Sequence, residues 1–291
     1  LRGVIADRYP EMKINPSASE YSQSDIAHEI DMDVYLSDNY PDSSNLFSFS
    51  GGLELKLDSG LDSYSSNALF TVINSAQISI ASSASIGAGV ILDASDGPIV
   101  VDRNAKLDIE SLVKGPAYIG PYSIINPGAK IKDVSIGPSC KIGGEVEHST
   151  FQGYSNKQHD GYIGNSYIGE WVNLGANTNN SDLKNNYSNV KIKIYDNEID
   201  TNEMFIGCLI GDYTRTAIST MINTGTYIGM GCNIFGDGFH SKFIENFSWG
   251  KNDITEFDKF IDTLKIVKRR RAKSISDSEL KLLKSIYESK N

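Results

Sequence analysis

The chain has 291 residues, enough for one large domain or two modest ones, and a formal net charge of −10. That balance excludes the basic stripe of a nucleic-acid surface, although a local lysine can still hold a small anion on an acidic protein. Cys140, Cys208 and Cys232 cannot close a full disulfide framework and lack zinc-ligand spacing, so a reducing, cytoplasmic compartment with no bound metal is expected. No apolar run reaches the length of a membrane span, and no membrane partner is expected.

The first residue is Leu1 and not Met, so a piece of something longer is expected. Residues 1–70 show no sustained period. From Tyr35 onward they are rich in Ser, Asp, Asn and Gly, which bond their own backbone and tolerate turn dihedrals. An irregular N-terminal segment is expected there, a candidate remnant of a second domain.

From about Thr71 to 250 the character changes. Large apolar residues recur every six positions: Ile80, Ile86, Leu92, then Val101, Leu107, Val113, Ile119, Ile125 and Ile131. After a slip of one, Ile136 and Ile142 continue; Ile168, Leu174, Ile222, Ile228 and Ile234 resume the series. Two residues before each, the side chain is usually small, as at Ala84, Ala105, Ser123 and Cys140, and the residue after is often Gly. A period of six is neither a helix nor a simple strand alternation; it predicts the stacked coils of a parallel β-helix. Glycine is expected near the corners for the dihedrals it permits.

Between Leu174 and Ile206 the spacing dissolves into a polar, Asn-rich run, which predicts a long functional loop. The repeat ends near Gly236. Residues 251–291 then predict two amphipathic helices, with Thr255/Asp258 and Ser276/Glu279 spaced as capping boxes. They are expected to cap the open end of the β-helix, whose strand edges would otherwise invite aggregation. The Lys268–Arg271 run is expected to be a solvated helix terminus.

The segment 143–186 is more polar and aromatic than the repeat requires, and it holds His159 in a Lys-Gln-His-Asp run. A neutral imidazole at that place could take a proton from an attacking amine. Glu145 or Glu147, about one coil away, could fix its tautomer. On residue type alone His159 is a polar corner residue before it is a base, because most histidines are not catalytic, Tyr162 and Trp171 are packing aromatics, and Lys157 is a solvated corner.

The run KQHDGYIGNSYIGEWVNLGANTNNSDLKNNY, with GGEVEHS before it and NTGTYIG and FSWG after it, resembles a known family. It is similar to the acetyltransferase β-helix of the bifunctional N-acetylglucosamine-1-phosphate uridylyltransferase/glucosamine-1-phosphate N-acetyltransferase enzymes, in their divergent sugar-nucleotidyltransferase-like branch. The resemblance implies an all-β, left-handed parallel β-helix that forms a homotrimer with sites between subunits. It also implies acetyl-CoA as cosubstrate and glucosamine 1-phosphate as acceptor, on the route to UDP-N-acetylglucosamine and cell-envelope precursors. By the same resemblance His159 is the base and Glu147 orients it, Tyr162 meets the sugar phosphate and Asn173 the sugar. The backbone N–H of Ala176 would meet the acetyl carbonyl, with Gly236 on the cofactor side. The family's asparagine–tyrosine pair falls on Asn186–Tyr187 or is replaced by Asn180 and Asp182, and the phosphate contact falls to Lys157 or Lys184. Residues 1–70 carry no Gly-rich phosphate loop, so no nucleotidyltransferase activity is expected. Two other readings remain: an acceptor that is a nucleotide-linked amino sugar, and a catalytically silent trimeric scaffold.

Overall fold

The computed structural model describes residues 70–195 and 197–289, all within one unit of the chain, Leu57–Asn291. The expectation for 1–70 therefore lies outside the described residues, apart from Phe70. The described part is a left-handed parallel β-helix followed by two helices.

Its coils present three faces. The first carries Thr71–Ile73, Ile91–Asp93, Tyr162–Gly164, Asn179–Asn180 and Met221–Ile222. The second carries Ile78–Ile80, Ile99–Val101, Cys208–Ile210, Thr226–Ile228 and Phe243–Ile244. Three longer strands, Leu112–Ile119, Lys130–Ile136 and Glu145–Phe151, bend from the first face into the second. The third face is a ladder of two-residue strands, among them Ser85–Ile86, Lys106–Leu107, Ile124–Ile125, Lys141–Ile142 and Asn156–Lys157.

All sixteen periodic apolar residues named above are buried, and so are the small residues two places before them. The prism admits one large side chain per short strand, so its partner must be small. Where that partner is a serine, the hydroxyl replaces a missing backbone bond: Ser123 Oγ donates to the Gly137 carbonyl at 2.7 Å and accepts from Cys140 N at 2.9 Å. Cys140 and Cys208 are free thiols in this core, and burial pushes both up to about 12. The apparent gap in the period after Ile142 is filled by Val146, Phe151, Lys157 and Ile163, each buried. Two short steps and one lysine had hidden it.

The glycines that follow apolar residues are present for a different reason from the one expected. A Cβ on Gly137 would stand 1.9 Å from the Gln152 carbonyl oxygen of the next coil, so it is close stacking that excludes a side chain. The left-handed corner between the second and third faces is instead occupied by non-glycine residues: Tyr122, Ser139, Tyr154, Trp171, Tyr213 and Phe247 all have φ between 54° and 61°. Their aromatic rings form a column, with Tyr154 and Trp171 stacked at 4.4 Å.

The two helices, α1 (Phe257–Arg269) and α2 (Asp277–Glu288), pack along this aromatic corner and not over the last coil. Phe260 meets Phe247 at 5.3 Å and Tyr213 at 5.9 Å. Further along, Arg271 donates to Ser139 O at 3.1 Å and Asn156 Oδ1 at 2.9 Å. Thirteen helical residues extend about 20 Å, close to four coils at ~4.8 Å each. The end of the β-helix is covered by a short antiparallel turn, Ser248–Trp249 against Asp253–Ile254. Ser276 caps α2 by accepting from Glu279 N at 3.1 Å, but α1 begins after Glu256 with no side-chain cap. Lys268 is not solvated: it is 7% exposed, paired with Glu279, and stands 5.2 Å from the Trp171 ring centroid. A cation against an aromatic column closes this seam better than a solvated terminus would.

The Asn-rich run also differs from expectation. Residues 176–182 stay in the coil, and two asparagines take over the ladder: Asn179 Oδ1 accepts from Tyr162 N, and Asn180 Oδ1 from Gly164 N, both at 2.8 Å. The true insertion comes after Asp182, where the coil step opens from 17 (150 to 167) to 42 (167 to 209). It contains an antiparallel hairpin, Lys191–Ile194 with Asn197–Asp200, and Tyr195 packs on Phe243 at 5.2 Å on the second face.

Replacing Gly137 by alanine should destabilise the protein by about 1–3 kcal/mol or more through overpacking. Gly128→Ala, where nothing lies within 4 Å but φ is +68°, should cost about 1–2 kcal/mol from backbone strain alone. Urea unfolding of the two variants measures the difference.

Candidate active site

Residues 158–161 turn the chain from the third face to the first and carry His159. Backbone bonds fix this corner between its neighbours: Gly143 N donates to Lys157 O at 2.6 Å, and Asn177 N donates to Asp160 O at 2.8 Å. Asn156 pairs with Asn173 on the next coil, which sets Ala176 beside His159. Ser219 N then donates to Ala176 O at 2.7 Å, and Ala217 N to Ile234 O at 2.8 Å, so Ile218 and Gly236 extend the same column. His159, Ala176 and Gly236 thus share one corner over three coil steps, about 14 Å.

Two groups in this column are unengaged among the described residues. The exposed His159 imidazole has no hydrogen-bond partner, and neither does the Ala176 N–H. Asn173 lies on the adjoining third face, exposed, with its Oδ1 3.5 Å from Asn156 Nδ2.

Lys157 is not at the surface. It is 1% exposed, pointing into the prism in the column otherwise held by Ile125, Ile142 and Leu174. Its Nζ donates to Gly143 O at 2.9 Å and His159 O at 2.8 Å. Burial pulls its ammonium down to about 8, partly opposed by the charge of Asp160. A phosphate contact from Lys157 is therefore ruled out by its position.

On the first face the register aligns Lys130, Glu145 and Tyr162, then Lys132, Glu147 and Gly164. Glu145 is thus the carboxylate at the His159 end of the strand. Glu147 stands at the far end, two residues or about 7 Å along the strand from Glu145, and makes no bond to His159 among the described residues. There it lines a cleft of about 370 Å³ with Tyr162, Asn165 and Asp182, closed by Leu183 and Phe205. Tyr162 Oη donates to Asp182 Oδ2 at 2.8 Å, and Asn165 Nδ2 donates to the same oxygen at 2.7 Å. Desolvation, then the Asp182 bond, push the Tyr162 phenol up, so it stays a donor. His148 flanks the cleft with its Nδ1 2.7 Å from Asp133 Oδ2.

Lys184, Asn186 and Tyr187 lie in the insertion that leaves the Asp182 corner, at the opposite edge of the first face from His159. Lys184 bonds the Asn189 carbonyl, Asn186 Oδ1 accepts from Ser188 Oγ at 2.9 Å, and Tyr187 is 68% exposed. Sequence reasoning missed Lys130 and Lys132, which make no ion pair among the described residues and stand beside the two glutamates. The signal was there: each lies 15 residues before its glutamate, one shortened coil. No group of three or more potential metal ligands occurs among the described residues, and no described helix is long and apolar enough to cross a membrane.

A parallel β-helix with an acetyltransferase-like histidine segment is the class that fold and sequence define, and curated proteins sharpen it. The chain is 32% identical over 122 residues to a bifunctional sugar-1-phosphate nucleotidylyltransferase/acetyltransferase of Sulfurisphaera tokodaii, covering 42% of this chain and 28% of that one. It is 36% identical over 138 residues to the bifunctional protein GlmU of Streptococcus uberis, covering 45% and 28%. For GlmU of Methanocaldococcus jannaschii the values are 29% over 133 residues, 45% and 30%. The resemblance to this bifunctional family is thus found in relatives from both bacteria and archaea, and the matched stretch spans less than a third of each relative. No family model matches the chain. Among solved structures, the polySia-specific acetyltransferase NeuO aligns over 64% of this chain and 86% of that one, at 12% identity and a TM-score of 0.26, too loose a superposition to carry an argument.

The buried lysine gives a pH prediction. Its folded value of about 8 lies below the ordinary 10.5, so between those values the unfolded chain holds a proton the folded one has shed. Lys157 should therefore make stability rise with pH across that window. Urea unfolding from pH 7.5 to 9, below the range in which the unfolded chain's Cys140 and Cys208 ionise while the buried thiols do not, should show this rise in the native chain, and Lys157→Met should flatten it.

Proposed function

We propose that this β-helix is an acetyl-CoA-dependent N-acetyltransferase acting on an amino-sugar phosphate, with glucosamine 1-phosphate as the first acceptor to test. The observation that carries the reading is the corner itself: an imidazole at His159 and, one coil away, an N–H at Ala176, both unengaged among the described residues. The acceptor amine attacks the thioester carbonyl, and His159 takes the proton it sheds. The Ala176 N–H donates to the carbonyl oxygen as it gains charge. The C–N bond forms, the C–S bond breaks, and the CoA thiolate leaves and recovers the proton from His159. Cofactor lies along the Ala176–Gly236 column. The sugar lies over the adjoining face, with Asn173 as a hydrogen-bonding group, Glu145 toward the amine and Lys130 toward the phosphate, while the Tyr162 hydroxyl and Lys132 stand at the far end of that face beside Glu147. The relatives named for sugar-1-phosphate and acetyltransferase activities support the same class.

The active unit in this reading is a homotrimer. Glu147, Lys184, Asn186 and Tyr187 stand across the first face from His159, so they complete a site on a neighbouring subunit. Ile218, Met221 and Phe239, exposed by 74%, 41% and 59% on this corner and face, give such a contact its apolar surface.

Free-thiol release from acetyl-CoA should occur with glucosamine 1-phosphate and more slowly with UDP-linked amino sugars. His159→Ala should lower kcat by about 10²–10⁴-fold, and sedimentation should give a trimer. No thiol release with any amino sugar would favour a silent scaffold.

A further inference from the structure

Packing alone does not call for a lysine at position 157. Ile142 and Leu174 fill the same inward slot in the flanking coils, both buried. A buried ammonium is costly unless its protons are accepted, and this one is met by two carbonyls of a single corner, those of Gly143 and His159. Other bonds hold this corner at Gln158, Asp160 and Gly161, from Asn126 Nδ2 at 2.8 Å, Asn177 N at 2.8 Å and Glu145 N at 3.1 Å, but among the described residues only Lys157 reaches the His159 carbonyl. Gly143, Gly144 and Gly161 build the corner, and a Cβ on Gly144, at φ +72°, would come within 2.8 Å of Lys157 Nζ. The glycines leave the space that the ammonium occupies. The charged group that acts on it is Asp160, next to His159 in the same turn region, which favours the ammonium form.

We propose that Lys157 is a positioning residue: reaching the corner from inside the prism, its ammonium holds the His159 and Gly143 carbonyls and so fixes the backbone that aims the His159 imidazole. The inference rests on the reading of His159 as the base. Because burial pulls Lys157 down to about 8, this hold weakens in mildly alkaline solution.

The test compares native chain, Lys157→Met, Lys157→Gln and His159→Ala in thiol release from pH 5.5 to 9.5, with unfolding measured on each. Methionine fills the slot with no donor, so Lys157→Met should fold at least as stably at pH 7. Its kcat should fall about 10–100-fold with little change in KM for acetyl-CoA, and the alkaline fall near pH 8 should vanish. Lys157→Gln, which keeps N–H donors, should recover part of the rate. Native kcat and native pH limbs in Lys157→Met, with His159→Ala inactive, would overturn the positioning role alone. An active His159→Ala would remove the base and this inference with it. A rate loss that merely tracks lost stability, with no recovery in Lys157→Gln, would also overturn it. Should Lys157→Met fail to fold, 13Cε NMR of the native lysines decides the matter: kcat should fall as Lys157 titrates, and a constant kcat through that titration would contradict the proposal.

Discussion

Everything in this molecule follows from backbone stacking on backbone. Coils repeat at strand spacing, and the prism they enclose is too narrow for more than one large side chain per strand. Inward positions are therefore apolar or small, and some corner residues must be glycine because the next coil lies where a Cβ would be, as Gln152 O does for Gly137. The same stacking turns each corner into a column. A residue's true neighbours are found 15 to 21 positions away, with one exception where the 42-residue step inserts a hairpin.

The columns divide the labour. The aromatic corner gathers Tyr154, Trp171, Tyr213 and Phe247, buries α1 and α2 against them, and traps Lys268 between rings and Glu279. Among the described residues the His159 corner has no such cover. It stacks a histidine, a backbone N–H at Ala176 and a run of glycines, and leaves both polar groups unengaged. Two lysines illustrate the contrast between burial and role. Lys268 closes a seam; Lys157 reaches through the core to hold the turn on which the proposed chemistry depends.

The architecture was legible because sixteen residues on one spacing leave little freedom, and each is buried. What the sequence concealed was concealed for physical reasons. Lys157 interrupts the apolar column with a charge that looks like a surface residue until its carbonyl partners are known. The asparagines of 177–180 look like a loop, but their side chains mimic the backbone ladder across a gap. Glu145 and Glu147 are both one coil from the histidine in count, and only the register with Tyr162 and Gly164 tells which end of the strand each occupies. The helices were placed correctly along the chain. Their docking on a flank could not be read, because the aromatics that receive them are spread over four coils.

The central claim is that catalysis takes place at the corner shared by His159 and Ala176. It is tested most directly by a crystal structure of the protein soaked with CoA and an N-acetylated amino-sugar phosphate. The account predicts the thiol sulfur along the Ala176–Gly236 column, with the acetyl oxygen within hydrogen-bond distance of Ala176 N and the sugar nitrogen within reach of His159. CoA bound elsewhere on the β-helix, with both groups still unengaged, would contradict it.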